Sequence, residues 1–187
     1  KTLPIIWQRL VDAEGATCPR CHDTGQAIRD AFERLKLVLA PLGIEPTLEC
    51  REIDAGTFQS APSESNRIWI AGKPLEEWLE ASVGSSRCCS SCGDSDCRTV
   101  AIEGEVFEAI PENLLVRAAL IAAAHLGHVE VVRRLIAAGA PLDHVNNLHW
   151  TALIEAVVLG DGGKNHTEIV RLLIAAGANT KLGDRDG

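Results

Sequence analysis

A stretch of thirteen residues, His128 to Ala140, returns in near-identical form within the last third of the chain, and this limits the fold more than any other feature. His128-Val129-Glu130-Val131-Val132-Arg133-Arg134-Leu135-Ile136-Ala137-Ala138-Gly139-Ala140 comes back as His166-Thr167-Glu168-Ile169-Val170-Arg171-Leu172-Leu173-Ile174-Ala175-Ala176-Gly177-Ala178. Self-similarity at such a period marks a stacked repeat, in which each unit buries its apolar face against the next. Val131, Val132, Leu135 and Ile136 recur at helical spacing and predict a face turned to the stack. Small alanines allow paired helices to approach closely. Gly139 and Gly177 follow their helices where a left-handed cap is needed. The interval from Gly139 to Gly177 is 38 residues, and the excess falls in the glycine-rich run Gly160-Asp161-Gly162-Gly163-Lys164-Asn165, expected as the turn between two helices of one unit.

On these residues the segment resembles the ankyrin repeat family, whose unit is about 33 residues long. Thr151-Ala152-Leu153-Ile154-Glu155-Ala156 stands in the place of the family's Thr-Pro-Leu-His-x-Ala motif, with Ala152 and Ile154 replacing Pro and His. Ala118-Ala119-Leu120-Ile121-Ala122-Ala123, in the first unit, departs further and lacks the Thr. The resemblance implies a protein-binding surface. His128 and His166 fall where the family places a helix-start His or Asn, which implies a capping and loop role. Asp184-Arg185-Asp186-Gly187 reads as the opening of a third, truncated unit. Lys1 at the start and the lack of Met point the same way, to a piece of a longer protein.

The sequence before the repeats has another grammar. Ile5–Val11 reads as a strand, Ile28, Ala31, Phe32, Leu35, Val38, Leu39 and Leu42 mark one face of a helix closed by Pro41 and Gly43, and Thr47–Ile53 is a second strand. Strand, helix, strand in that order is a βαβ unit with parallel strands. A third strand, Arg67–Ile70, turns at Ala71-Gly72-Lys73-Pro74 into a helix over Leu75–Ala81. Thr99–Ile102 and Glu105–Ala109 flank Glu103-Gly104, a hairpin signal. Pro111 suits the first turn of a helix running to Leu126, straight into the repeats. The predicted division is therefore 1–112 and 113–187, packed as one body without a flexible linker.

All seven cysteines lie before residue 100: Cys18, Cys21, Cys50, Cys88, Cys89, Cys92 and Cys97. Their number is odd and no basic, apolar leader opens the chain, so thiol chemistry or metal ligation in the cytoplasm is expected rather than a disulfide framework. Cys50, on the second strand, reads as a small core residue.

A βαβ unit with Cys-x-x-Cys at the helix start resembles the thioredoxin-like superfamily, and within it an uncharacterised, mostly bacterial family. The resemblance covers about residues 3–124 and rests on Trp7-Gln8-Arg9-Leu10-Val11, Thr17-Cys18-Pro19-Arg20-Cys21, Glu64-Ser65-Asn66-Arg67-Ile68, Gly72-Lys73-Pro74-Leu75-Glu76-Glu77-Trp78-Leu79 and Cys88-Cys89-Ser90-Ser91-Cys92. It implies a fold class of α/β plus all-α: a thioredoxin-like mixed sheet with flanking helices, then an ankyrin helical segment. It implies Cys18 as attacking thiolate, favoured by the helix dipole and by Arg20, with Cys21 as resolving thiol. Thioredoxins carry a proline just before the third strand. This chain has Ser65-Asn66-Arg67 there, with Pro62 several residues too early.

Two further readings stay open. Cys18-Pro19-Arg20-Cys21 and Cys89-Ser90-Ser91-Cys92-Gly93 have zinc-knuckle spacing and together suit a closed tetrathiolate site in a pure interaction scaffold. Cys88, Cys89, Cys92 and Cys97 alone suit a soft ion such as Zn²⁺, Cu⁺, or a mercury or arsenic species. Other chemistry is not signalled: no phosphate-cradling glycine loop, no Gly-x-Ser-x-Gly and no His-Glu-x-x-His. The net charge of −8 resides entirely before residue 113 and disfavours nucleic-acid binding. No run of apolar residues is long enough to span a membrane.

Overall fold

The structure is a computed structural model that describes residues 1–88, 95–102, 104–146 and 148–183. Cys89, Cys92, Glu103 and Asp184–Gly187, on which several expectations rest, lie outside the described residues.

The βαβ unit is present. Strand β1 (Thr2–Leu10), helix α1 (Pro19–Leu39) and strand β2 (Glu45–Ile53) follow one another, and β1 and β2 pair in parallel from Thr2↔Glu45 to Leu10↔Ile53. A short helix α2 (Ala55–Ser60) starts on Asp54, whose carboxylate accepts from the Thr57 N–H, as an N-cap should. Strand β3 (Arg67–Ile70) then runs antiparallel to β1, with Ile6 opposite Trp69, and strand β4 (Lys73–Pro74) completes a mixed sheet in the order β2-β1-β3-β4. Helix α3 follows, covering Leu75–Trp78 and not reaching Ala81. Ala81 is followed instead by strand β5 (Ser82–Arg87), which pairs antiparallel with β6 (Asp96–Ile102). Strand β7 (Glu105–Phe107) closes this second sheet. The sequence reading missed β5 because Ser82-Val83-Gly84-Ser85-Ser86-Arg87 has almost no apolar alternation, and all but one of its residues are exposed or charged at the surface.

One face of the first sheet is dry. Ile5 and Trp7 of β1 and Ile68 and Ile70 of β3 are almost wholly buried, as are Ile28, Ala31, Leu35 and Leu39 of α1. Trp7 lies so close to α1 that a Cβ on Gly25 would meet its ring at 2.5 Å. That contact explains a glycine in mid-helix, where it normally costs about 1 kcal/mol. Cys50 corrects an expectation: it is exposed. β2 is the outer strand of the sheet, and its second half, Glu49 to Glu52, is exposed on both faces.

The remaining elements are helices: α4 (Glu112–His125), α5 (Val129–Ala137), α6 (Ala152–Val158) and α7 (Lys164–Ala175). Pro111 is the N-cap of α4 rather than its first residue. From Leu114 to Ala124 every residue of α4 is buried, and a helix buried all round must be covered on all sides. α1 and α3 pack on it from the α/β part, α5 and α6 from the repeats. One continuous core therefore joins the two parts. Arg34 of α1 reinforces the junction, reaching Glu112 at 3.2 Å and the carbonyl of Ala138.

The repeat caps form as expected. At Gly139 (φ 75°) its own N–H bonds Ile136 O at 2.9 Å and the Ala140 N–H bonds Leu135 O at 2.9 Å. Gly177 (φ 95°) and Ala178 repeat the pattern on Ile174 and Leu173. The glycine-rich insertion is the turn between α6 and α7. The histidines depart from the capping role. His128 occupies the N-cap of α5 but its side chain makes no cap bond. His166, inside α7, links two units: its ring nitrogens lie 2.9 Å from Asp161 Oδ1 and 3.1 Å from His125 O.

A second link between units is buried. Glu155 of α6 sits 3.3 Å from His125 Nδ1, and His125 in turn packs edge-on to Trp78, ring centroids 5.8 Å apart. Burial raises the Glu155 carboxyl above the usual 4.5, with the His125 contact opposing that rise. A carboxyl raised in the folded state contributes stability that is present below 4.5 and lost as the pH rises through the folded value. Wild type should therefore lose stability relative to Glu155→Gln as the pH rises from the acid range to neutrality. Urea midpoints of both proteins at several pH values check this; a difference that stays flat or widens in favour of the wild type as the pH rises would contradict it.

Candidate functional site

The Thr17-Cys18-Pro19-Arg20-Cys21 segment leaves β1 and starts α1. Cys18 is the N-cap, extended at φ −68° and ψ 159°, and Pro19 fills the first helical position, where a missing N–H costs nothing. Cys21 lies in the first turn. Both cysteines are almost sealed from water, at 3% and 1% exposure. No acidic residue stands in that first turn, so the partial positive charge of the longest helix end is not offset locally.

The two thiols are hydrogen-bonded to each other. That bond is the largest cause holding the Cys21 proton far above the ordinary thiol range, with burial and the Cys18 charge adding to it. Ser65 Oγ, 3.6 Å from Cys21 Sγ, pulls weakly the other way. Ser65 itself is anchored by the Leu10 N–H at 3.2 Å, and its neighbour Asn66 holds a left-handed backbone (φ 57°). Asn66 accepts from Trp7 Nε1 at 3.3 Å and donates to Thr24 Oγ1 at 3.0 Å. The Ser65-Asn66 segment therefore presents a hydroxyl to Cys21.

A third sulfur joins the pair. Cys88, half-buried just after β5, has its Sγ 3.9 Å from Cys18 Sγ. Arg20, expected to add positive charge near Cys18, also holds three partners outside the motif. It donates to Ser86 Oγ at 2.9 Å and to Arg87 O at 2.6 Å, and pairs with Glu108 at 2.8 Å. Arg20 thereby ties the start of α1 to the end of β5. Of the other predicted thiols, Cys97 is buried on β6, opposite Ser86 in register. Among the described residues, no group of three or more His, Cys, Asp or Glu side chains is arranged to hold a metal ion. No helix among them is long and apolar enough to cross a membrane.

Sequence reasoning joined Cys18 to Cys21 through their spacing. It missed Ser65 as a neighbour of Cys21, and it did not single out Cys88 among the later cysteines as the one that meets Cys18. Nothing local in the sequence signals either contact, because residues 65 and 88 arrive through the sheet topology.

Comparison with known proteins fits this architecture. Residues 3–119 match a family described as a domain of unknown function (DUF2703), and residues 87–184 match the family of ankyrin repeats in three copies. The two matches overlap over residues 87–119, which hold β6, β7 and the first half of α4, the helix both parts share. An uncharacterized protein of Archaeoglobus fulgidus is 40% identical over 113 residues, covering 60% of this chain and 82% of that protein. Among solved structures, an ankyrin repeat domain from Acinetobacter baumannii is 62% identical over 36% of this chain, with a TM-score of 0.36. A second ankyrin repeat protein, EF0377, is 32% identical over 41% of this chain, with a TM-score of 0.35. The chain spans 35% and 46% of the length of those two structures.

Proposed function

We propose, for a chain that belongs to both the DUF2703 family and the ankyrin repeat family, that the α/β part is a thioredoxin-like thiol domain exchanging disulfides at Cys18. The ankyrin repeats are its protein-interaction module and bring that thiol domain to a protein partner. The carrying observation is the sulfur cluster at the N-terminus of α1, where Cys18 touches both Cys21 and Cys88. A helix N-terminus favours a thiolate over a thiol, and a second thiol in contact turns a single attack into a two-electron exchange. One protein thiolate attacks a substrate disulfide, forming a mixed disulfide and releasing one substrate thiolate. A neighbouring protein thiolate then attacks the mixed disulfide and releases the second, so that the substrate is reduced and two protein thiols become one disulfide.

The test is an anaerobic titration of the protein against glutathione redox couples, reading free thiols and protein disulfide together. Two thiols should disappear in one reversible two-electron transition. Thiols that oxidise singly and irreversibly would contradict the proposal.

One observation favours a second reading, a soft ion held by thiolates. The separation of 3.9 Å between Cys18 and Cys88 is close to the edge of about 3.8 Å that a tetrahedral site with metal–sulfur bonds of about 2.3 Å requires. Cys18 and Cys88 are the two donors at that separation, and the described residues alone do not complete a donor set; Cys89 and Cys92 lie outside them. In that case Zn²⁺ added before the titration blocks the oxidation stoichiometrically.

A further inference from the structure

We infer that Cys88, rather than Cys21, is the exchange partner of Cys18, and that Cys88 is the sulfur at which a disulfide-bearing substrate enters. The inference rests on the thiol-exchange reading and names its second thiol. Attack on a disulfide needs the three sulfurs nearly in line, so the entering sulfur must be reachable from solvent. Cys18 and Cys21 are 3% and 1% exposed, whereas Cys88 is only partly buried and keeps contact with solvent. Cys88 lies 3.9 Å from Cys18, so about 2 Å of closure brings the pair to a covalent S–S length of about 2.05 Å.

The surroundings hold Cys88 at that place. The last residues of β5, paired in register with β6 at Ser86↔Cys97 and Arg87↔Asp96, are the ones that Arg20 grips at Ser86 Oγ and Arg87 O. Arg20 stands two residues after Cys18, so one side chain fixes both sulfurs against each other across 70 residues of sequence. Cys21 faces inward instead, toward Ser65.

With glutathione disulfide as substrate, the Cys88 thiolate attacks one sulfur and releases a glutathione thiolate, leaving Cys88 in mixed disulfide. The Cys18 thiolate then attacks Cys88 Sγ and releases the second glutathione. Two protein thiols have lost two protons and two electrons, and one glutathione disulfide has gained them.

The experiment treats the reduced full chain with glutathione disulfide and maps disulfides by peptide mass. Wild type should yield a Cys18–Cys88 disulfide, Cys18→Ser should retain glutathione on Cys88, and Cys88→Ser should consume glutathione disulfide at least about tenfold more slowly. Arg20→Met should slow closure of the internal disulfide more than it slows the first step, a split that a misfolded variant does not produce. A Cys18–Cys21 disulfide in wild type, or one joining Cys88 to Cys89 or Cys92, overturns the inference and leaves thiol exchange standing. Absence of exchange at every cysteine overturns both.

Discussion

Leu35→Ala is expected to cost about 2–5 kcal/mol of stability, the range for deleting a large aliphatic side chain from a close-packed interior, and to unfold both parts of the chain together. Leu35 is fully buried on α1, which packs against α4 and α5, in the core that also holds Leu39, Ala119, Ala122, Ala123 and Leu135. If the α/β part covers the open end of the repeat stack, as this packing indicates, a cavity there weakens the repeats as much as the sheet. Urea unfolding followed at two signals checks this. Tryptophan emission reports mainly the α/β part through Trp7, Trp69 and Trp78, and far-ultraviolet circular dichroism weights the repeat helices. The two curves should coincide and shift together. Separate transitions, with only the fluorescence curve moved, would show two independent bodies.

Arg98→Met should be of similar size, about 3 kcal/mol, for a different reason. Arg98 is 5% exposed, with Nη2 2.6 Å from Glu76 Oε1 and Nη1 donating to Ser63 O at 3.1 Å. Removing the guanidinium strands a carboxylate that is itself only 14% exposed. Breaking one half of a buried pair costs about 3–5 kcal/mol. The effect belongs at the low end because Arg67 remains 3.6 Å from the same oxygen. Adding Glu76→Gln to Arg98→Met should recover part of the loss, since a neutral amide tolerates the site better than an orphaned charge. A loss under about 1 kcal/mol would place the pair among exposed bridges of little worth.

The parts of the fold that the sequence made legible are those written in local periodicity. The parallel βαβ unit, β3, and the caps at Gly139 and Gly177 follow from apolar spacing and from one glycine per helix end. β5 was illegible because an exposed strand of serines carries no period-two signal. Cys50 was misjudged because alternation along β2 says nothing about whether a neighbour covers the strand, and an edge strand has cover on one side only. The partners of Arg20 were not legible because Ser86, Arg87 and Glu108 are far away in sequence. The site divides the same way. Cys18 and Cys21 were visible in a five-residue motif, whereas Ser65 and Cys88 depend on how β3 and the β5–β6 hairpin fold back onto α1.

The central claim is that Cys18 is the centre of a disulfide exchange. The direct measurement is the rate at which reduced wild type and reduced Cys18→Ser convert a small disulfide substrate to two thiols, with circular dichroism confirming that the variant is folded. Conversion to two free thiols per protein is expected in the wild type and should be abolished in Cys18→Ser, which should stop at a mixed disulfide. Equal, complete conversion by both proteins would remove Cys18 from the chemistry and with it the thiol-exchange account of the α/β part.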